Sequence, residues 1–205
     1  MFGLTQSVSR TRWWATKLVM GGLPVTIAML ALGLVTTWTL DSVGRIAVSR
    51  MWTPMFEIQG LVLSAYTLLA FTLGATAGLL VRNTLAAMVI TVIGYLGVVI
   101  TVANGVRPHY ATPEYRVQDV PYDAWRVESG FLDQNGHEVA FSPFATCGTT
   151  DIRNCLRDNG IAAQFTRFHP VERFWSFQLI ETGLFVLLGV ALLGLGAWAL
   201  HRRET

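Results

Sequence analysis

The chain has 205 residues, of which 52% are hydrophobic and only 14% charged, with mean hydropathy +0.46 and a formal net charge of +2. Soluble domains carry nearer about 25% charged residues, so this composition excludes an ordinary soluble domain and favours an α-helical integral membrane protein. Basic residues come in ones and twos, which argues against nucleic acid as a partner. Lys17 is the only lysine and no phosphate-binding loop, H-E-x-x-H, C-x-x-C or G-x-S-x-G is present, so no enzymatic activity and no cofactor is expected.

Residues 1–17 form a polar, aromatic and basic segment with Arg10, Arg12, Trp13, Trp14 and Lys17. Residues 18–40 are charge-free and longer than the apolar region of about 7–15 residues in a secretory signal, so they read as an uncleaved first span. Pro24 falls near the start of that run, where a missing N–H costs least. Residues 41–57 read as a connection. The second span covers 58–81 and includes Gly74-x-x-x-Gly78, a spacing that lets helices approach. Arg82-Asn83-Thr84 is a tight break, and the third span covers 85–103. So short a link forces these two spans into a hairpin.

Residues 104–173 differ in kind. They hold nine of the 13 acidic residues, three of the four histidines and both cysteines. Asn135-Gly136 between alternating apolar positions is a strong hairpin signal, since both turn residues must tolerate positive φ. Thr150–Asn159 reads as a short helix, capped by Asp151 and stopped by Asn159-Gly160. This is a small α+β domain, expected outside the cytoplasm. The fourth span covers 174–200, and residues 201–205 form a cytoplasmic tail.

Lys and Arg near short-loop span ends mark the cytoplasmic side. Arg10, Arg12, Lys17, Arg82, Arg202 and Arg203 fall on one side, against Arg45 and Arg50 on the other. Both termini are therefore expected in the cytoplasm, with the 104–173 domain outside. Cys147 and Cys155 then lie in an oxidising compartment and are expected to pair. His109, His137 and His169 show no ligand spacing on a regular element, so no metal site is expected.

Glu181 is the only charge in the fourth span. It lies eight positions beyond Arg173, about 12 Å of helix rise. A charge near a bilayer centre costs about 2.5–3.5 kcal/mol on insertion scales. Glu181 is therefore expected to face protein or a water-filled cavity, either as a residue of a transport path or conformational switch or as a carboxyl bonded to a neighbouring helix. Tyr66 in the second span lies at comparable depth and is the expected partner, with Gln59 nearer the outer face. On this reading Glu181→Gln keeps protein levels and Glu181→Leu lowers them.

Four blocks carry a family resemblance. Thr5-Gln6-Ser7-Val8-Ser9-Arg10-Thr11-Arg12-Trp13 resembles the T-Q-S-V-[ST]-R-T-R-W stretch of actinobacterial ABC transporter permeases of the type-2 exporter class. Leu79–Met88 and Val106–His109 continue it, and Arg173-Phe174-Trp175-x-Phe177-Gln178-x-Ile180-Glu181-Thr182-Gly183-Leu184 closes it. The resemblance implies that Gln6, Ser7, Arg10 and Arg12 belong to a cytoplasmic coupling helix that touches a separate ABC ATPase subunit. It also implies a second permease chain or a homodimer in the bilayer. Such permeases usually have six spans and this chain supplies four, so the expectation is a permease subunit or part of one. The alternative is a membrane-anchored extracytoplasmic protein whose outer domain binds or senses, with no transport role.

Overall fold

The computed structural model describes residues 10–43, 49–81, 83–148 and 152–202. Gln6, Ser7, Arg45, Arg82, Asp151 and Arg203 lie outside the described residues. The chain divides into two units, one of long apolar helices and one built on a sheet.

In lipid every backbone N–H and C=O must be bonded internally, so apolar runs of this length fold as helices. Among the described residues, four helices are long and apolar enough to cross a membrane: Arg12–Ser42, Val62–Leu80, Thr84–His109 and Val171–His201. The first belongs to α1 (Arg10–Val43), of 34 residues. That is about 51 Å of rise, well over the roughly 30 Å hydrocarbon core. Nothing in Arg10–Lys17 breaks a helix, so the expected interfacial segment from Arg10 onward and the first span are one continuous rod. Pro24 consequently sits in the helix interior rather than near its start.

Helix α2 (Val62–Leu80) begins four residues after the apolar run does. Gly60, at φ +61°, turns the chain there, and Gln59 lies in the loop rather than in a span. Helix α3 (Thr84–Thr101) starts sharply because the Asn83 side chain caps it, accepting from the N–H of Leu85 at 2.9 Å and of Ala86 at 3.2 Å. At its other end α3 continues through a π-helical turn, Val102–Val106, and a 3-10 turn, Arg107–His109. The helix thus runs past the expected boundary at residue 103, because no proline interrupts it before Pro108. Helix α6 (Phe174–His201) carries the fourth span. Of the small-residue pair in α2, a Cβ added to Gly74 would meet Thr91 of α3 at 3.6 Å, while one added to Gly78 would meet nothing within 4 Å.

The second unit is α+β. Strands β1 (Glu114–Val117), β2 (Trp125–Asp133), β3 (Glu138–Val139) and β4 (Ile161–His169) form one antiparallel sheet in the order β1-β4-β2-β3. Helix α5 (Ile152–Asp158) falls within the short helix expected at 150–159, and a further turn of helix, α4 (Pro143–Thr146), precedes it. The hairpin falls where Asn135-Gly136 places it, pairing Phe131 with Val139 and Leu132 with Glu138. Its chemistry differs from expectation: Gly136 alone of the two has positive φ, +82°. Asp133 supplies the rest, its carboxylate accepting from the N–H of Asn135 and of His137, both at 2.8 Å. These bonds, His137's first, hold the Asp133 carboxyl below the usual carboxylate range.

Phe165 and Phe168 of β4 and Leu132 of β2 are buried in the sheet unit. Gly130 is required opposite Phe165, since a Cβ there would lie 2.6 Å from the ring. Cys147 and Cys155 form a disulfide with Cα atoms 5.8 Å apart, tying the end of α4 to α5.

Candidate functional site

The residues that gather in the helical unit are polar ones. Arg107, at the end of α3, is fully buried. A guanidinium has five N–H donors, and each finds an acceptor. Nε donates to Glu181 Oε2 at 2.9 Å and Nη2 to Glu181 Oε1 at 2.7 Å, a two-pronged pairing with α6. Nη2 also donates to the Tyr66 hydroxyl on α2 at 3.1 Å. Nη1 donates to Glu57 Oε1 at 2.7 Å and to Thr53 Oγ1 at 3.2 Å, both on the loop before α2. The Phe56 ring covers the guanidinium face at 4.2 Å.

Glu181 is fully buried as well. Besides the two arginine bonds it accepts from the Tyr66 hydroxyl on Oε1. The Tyr66 ring is held by Phe185, with centroids 4.4 Å apart, and by Tyr95, edge-on at 6.5 Å. The expected contact between Tyr66 and Glu181 is therefore present, but it is the minor part of the arrangement. A buried carboxylate needs an opposite charge, and Arg107 supplies it.

One helical turn before Glu181, the fully buried Gln178 holds the same loop. Its Oε1 accepts from the backbone N–H of Leu61 and of Val62, both at 2.9 Å, and its Nε2 donates to the Phe56 carbonyl at 3.1 Å. Leu61 and Val62 open α2, so Gln178 serves as that helix's N-terminal cap from another helix. On the far side the loop meets α1. The Gly60 N–H donates to Gly33 O at 3.0 Å and to Thr37 Oγ1 at 2.8 Å. A Cβ on Gly33 would lie 2.3 Å from the Gly60 carbonyl, so only glycine fits. Gly33 is nine residues inside Ser42, about 13 Å of rise. The loop 53–61 therefore dips into the bundle. Irregular backbone at membrane depth survives only where protein satisfies it, and Gln178, Gly33 and Thr37 do so here.

The remaining expected residues lie elsewhere. Gln59 is buried, and its Nε2 donates to the Met55 carbonyl within the loop at 2.7 Å. Arg10 opens α1, and Arg12 is exposed two residues later. Near them Lys17 stands over the Trp13 ring at 4.1 Å. No converging group of three or more His, Cys, Asp or Glu side chains occurs among the described residues.

Four contributors escaped the sequence reading: Arg107, Glu57, Thr53 and Gln178. A signal for the first was available. A carboxylate deep in a span requires a cation at similar depth, and Arg107 follows the third apolar run closely. Glu57 borders the second run in the same way.

A family model described as ABC-2 membrane transporter related matches residues 2–107. The chain belongs to that family. Together with the four apolar helices, this makes it a multi-pass membrane protein of the ABC-2 transporter-related class. The matched residues include Thr53, Glu57, Tyr66 and Arg107 of the cluster, while Gln178 and Glu181 lie beyond the match. No curated protein and no solved structure matches the chain.

Proposed function

We propose that this chain is a permease subunit, or part of one, of an actinobacterial type-2 ABC exporter, working with a separate ATPase chain and a second permease chain or copy of itself. ATP hydrolysis then belongs to the partner, and the chain itself is not an enzyme. Gln6, Ser7, Arg10 and Arg12 form the coupling surface, the termini are cytoplasmic in the plasma membrane, and the sheet unit is outside.

One observation carries the reading beyond family membership. Gln178 and Glu181, three residues apart on one face of α6, both hold the 53–62 segment, the first directly and the second through Arg107. Such a segment cannot stay docked if α6 rotates or slides by a turn. Each of these bonds must break or re-form together, which gives the bundle two discrete packings rather than a continuum. A partner that binds one packing better shifts the population toward it. Glu181 is thus a switch residue rather than a substrate ligand.

The test is purification from native membranes. An ATPase chain should co-purify with the wild type and be lost from the Arg10→Ala/Arg12→Ala variant at equal protein level. A stable chain that never brings an ATPase with it would overturn the reading. The second reading, a membrane-anchored binding or sensing protein, is favoured by one feature. Ser49, Trp52, Tyr122, Ala124, Trp125 and Arg126 line an open pocket of about 300 Å³ in the sheet unit. Aromatic walls with one guanidinium suit an amphipathic small ligand. A ligand that binds at Trp52 and Tyr122 without any ATPase partner would favour it.

A further inference from the structure

The helical unit holds a groove that the buried charge cluster does not use. Trp14, Lys17 and Leu18 of α1, with Ala70, Phe71 and Ala75 of α2, line an open cleft of about 400 Å³. Two aromatic rings frame it. The Phe71 ring lies against α1 at Gly22, where a Cβ would come within 2.8 Å of it. The Trp14 ring lies against α6 at Gly196, where a Cβ would come within 2.7 Å. Glycine at both positions makes room for the rings, and the short side chains of Ala70 and Ala75 leave the space between them unfilled.

The cleft has two chemically different ends. Lys17 is exposed toward the start of α1, with its ammonium over the Trp13 ring at 4.1 Å. No carboxylate pairs with it among the described residues. Inward from Lys17, α1 carries no charge until Asp41, and Phe71 meets α1 at Gly22, about 7 Å further by helix rise. An occupant that suits both ends is anionic at one and apolar along the rest. The level of the cleft is also marked. Trp13 and Trp198 are exposed, and Arg202 lies over the Trp198 ring at 4.2 Å. The contact of Trp14 with Gly196 brings these two helix ends together. Exposed tryptophans among basic residues sit at the depth of lipid headgroups.

We propose that this cleft is a binding site for an anionic phospholipid, with the phosphate on Lys17 and one acyl chain along Ala70, Phe71 and Ala75. A lysine is a compact point charge on an apolar stem, so it lines the cleft with its methylenes and meets the phosphate with its ammonium. Basic pockets between membrane-spanning helices hold anionic headgroups in this way. A phosphate without a tail leaves the apolar cleft empty, and a zwitterionic phospholipid brings its own cation to compete with Lys17. The bound chain bridges α1 and α2 where protein supplies no contact. The site shares no residue with the Arg107 cluster, and it stands whether or not an ATPase couples at Arg10 and Arg12.

The test uses the full chain in detergent, equilibrated with equal amounts of phosphatidylglycerol and phosphatidylcholine, and reads the retained lipid by native mass spectrometry. Wild type should retain phosphatidylglycerol over phosphatidylcholine by about fivefold, as one basic residue at a bilayer surface supports. Lys17→Gln should bring that ratio close to one, and Lys17→Arg should keep it. Equal retention of the two lipids by wild type, or an unchanged ratio in Lys17→Gln, overturns the proposal. Ala75→Phe fills the cleft and should lose the retained phosphatidylglycerol; retention at the wild-type level overturns it. Lys17 is exposed, so its two variants decide the matter if Ala75→Phe does not fold. Excess glycerol phosphate should leave the lipid in place, and displacement by it would show a headgroup-only site and overturn the role of the tail. A wild-type dimer that Ala75→Phe converts to monomer would make a second copy the occupant and likewise overturn the proposal.

Discussion

Two arginines in this molecule each grip two glutamates, at nearly the same distances. Arg107 bonds Glu57 and Glu181 at 2.7 Å in the helical unit; Arg167 bonds Glu128 at 2.5 Å and Glu138 at 2.7 Å across the sheet. The surroundings divide them. Arg107 is wholly out of water, while Arg167, Glu128 and Glu138 retain 35%, 53% and 48% of their side-chain exposure. Water and salt already solvate the sheet's trio, so its net worth is small. The helical unit's trio has no such alternative, and removing one partner strands the others.

The sharpest way to break the symmetry is Arg107→Leu. It should cost about 3–5 kcal/mol, the range for breaking a buried pair, and lower the amount of folded chain in membranes. Arg107→Leu combined with Glu181→Leu should recover much of that loss, which a double-mutant cycle reads directly. Glu181→Gln was expected from sequence to be benign. With Arg107 as its partner, it should instead lower protein level, though less than Glu181→Leu.

In the sheet unit the comparable loss comes from a covalent bond rather than a charge. Cys147→Ser with Cys155→Ser opens a loop of nine residues, for which chain entropy gives roughly 2–3 kcal/mol. The change should appear as earlier proteolysis of the sheet unit. Next comes Gln178→Leu, which leaves the Leu61 and Val62 N–H groups buried without an acceptor, at about 1–3 kcal/mol each. Protease or hydrogen-exchange access should rise in 53–62 before any other helical segment.

His169 offers a smaller effect with a definite sign. Its Nε2 faces Pro108 O at 3.0 Å and its Nδ1 faces Arg173 Nη1 at 3.4 Å. Since arginine only donates, Nδ1 accepts and the ring is neutral. Burial first, and then Arg173, depress its pKa below the ordinary histidine value. The unfolded state therefore takes up a proton before the folded one does. The sheet unit's stability should be full above the unfolded value of about 6.5 and fall as pH drops below it. His169→Gln should flatten that part of the profile. Smallest of all is Arg167→Ala. It should barely move the unfolding midpoint, and moderate salt should erase whatever shift remains.

The same contrast explains what could be read in advance. The four helices were legible because a run of about 20 apolar residues has only one low-energy backbone in lipid. The hairpin was legible because Asp133 through Gly136 carries its own turn chemistry. The loop at 41–57 was read as a plain connection, and the part from Thr53 onward proved to be the opposite. Nothing local marks Phe56, Gln59 or Gly60 as buried; only Gln178 from α6 and Gly33 from α1, 118 and 27 residues from Gly60, make that burial tolerable. Arg107 was assigned to the outer domain because its sequence neighbours are polar, and the helix carried it back among the spans.

Sequence alone determined that this chain crosses a membrane and that Glu181, as a charge within a span, must face protein or a water-filled cavity. Those conclusions follow from transfer free energies, which depend on composition and length. Tertiary structure decided that Arg107 is what Glu181 meets and that one guanidinium serves two carboxylates. Hydrogen-bond geometry fixes these to within an ångström, and no residue spacing along the chain encodes it.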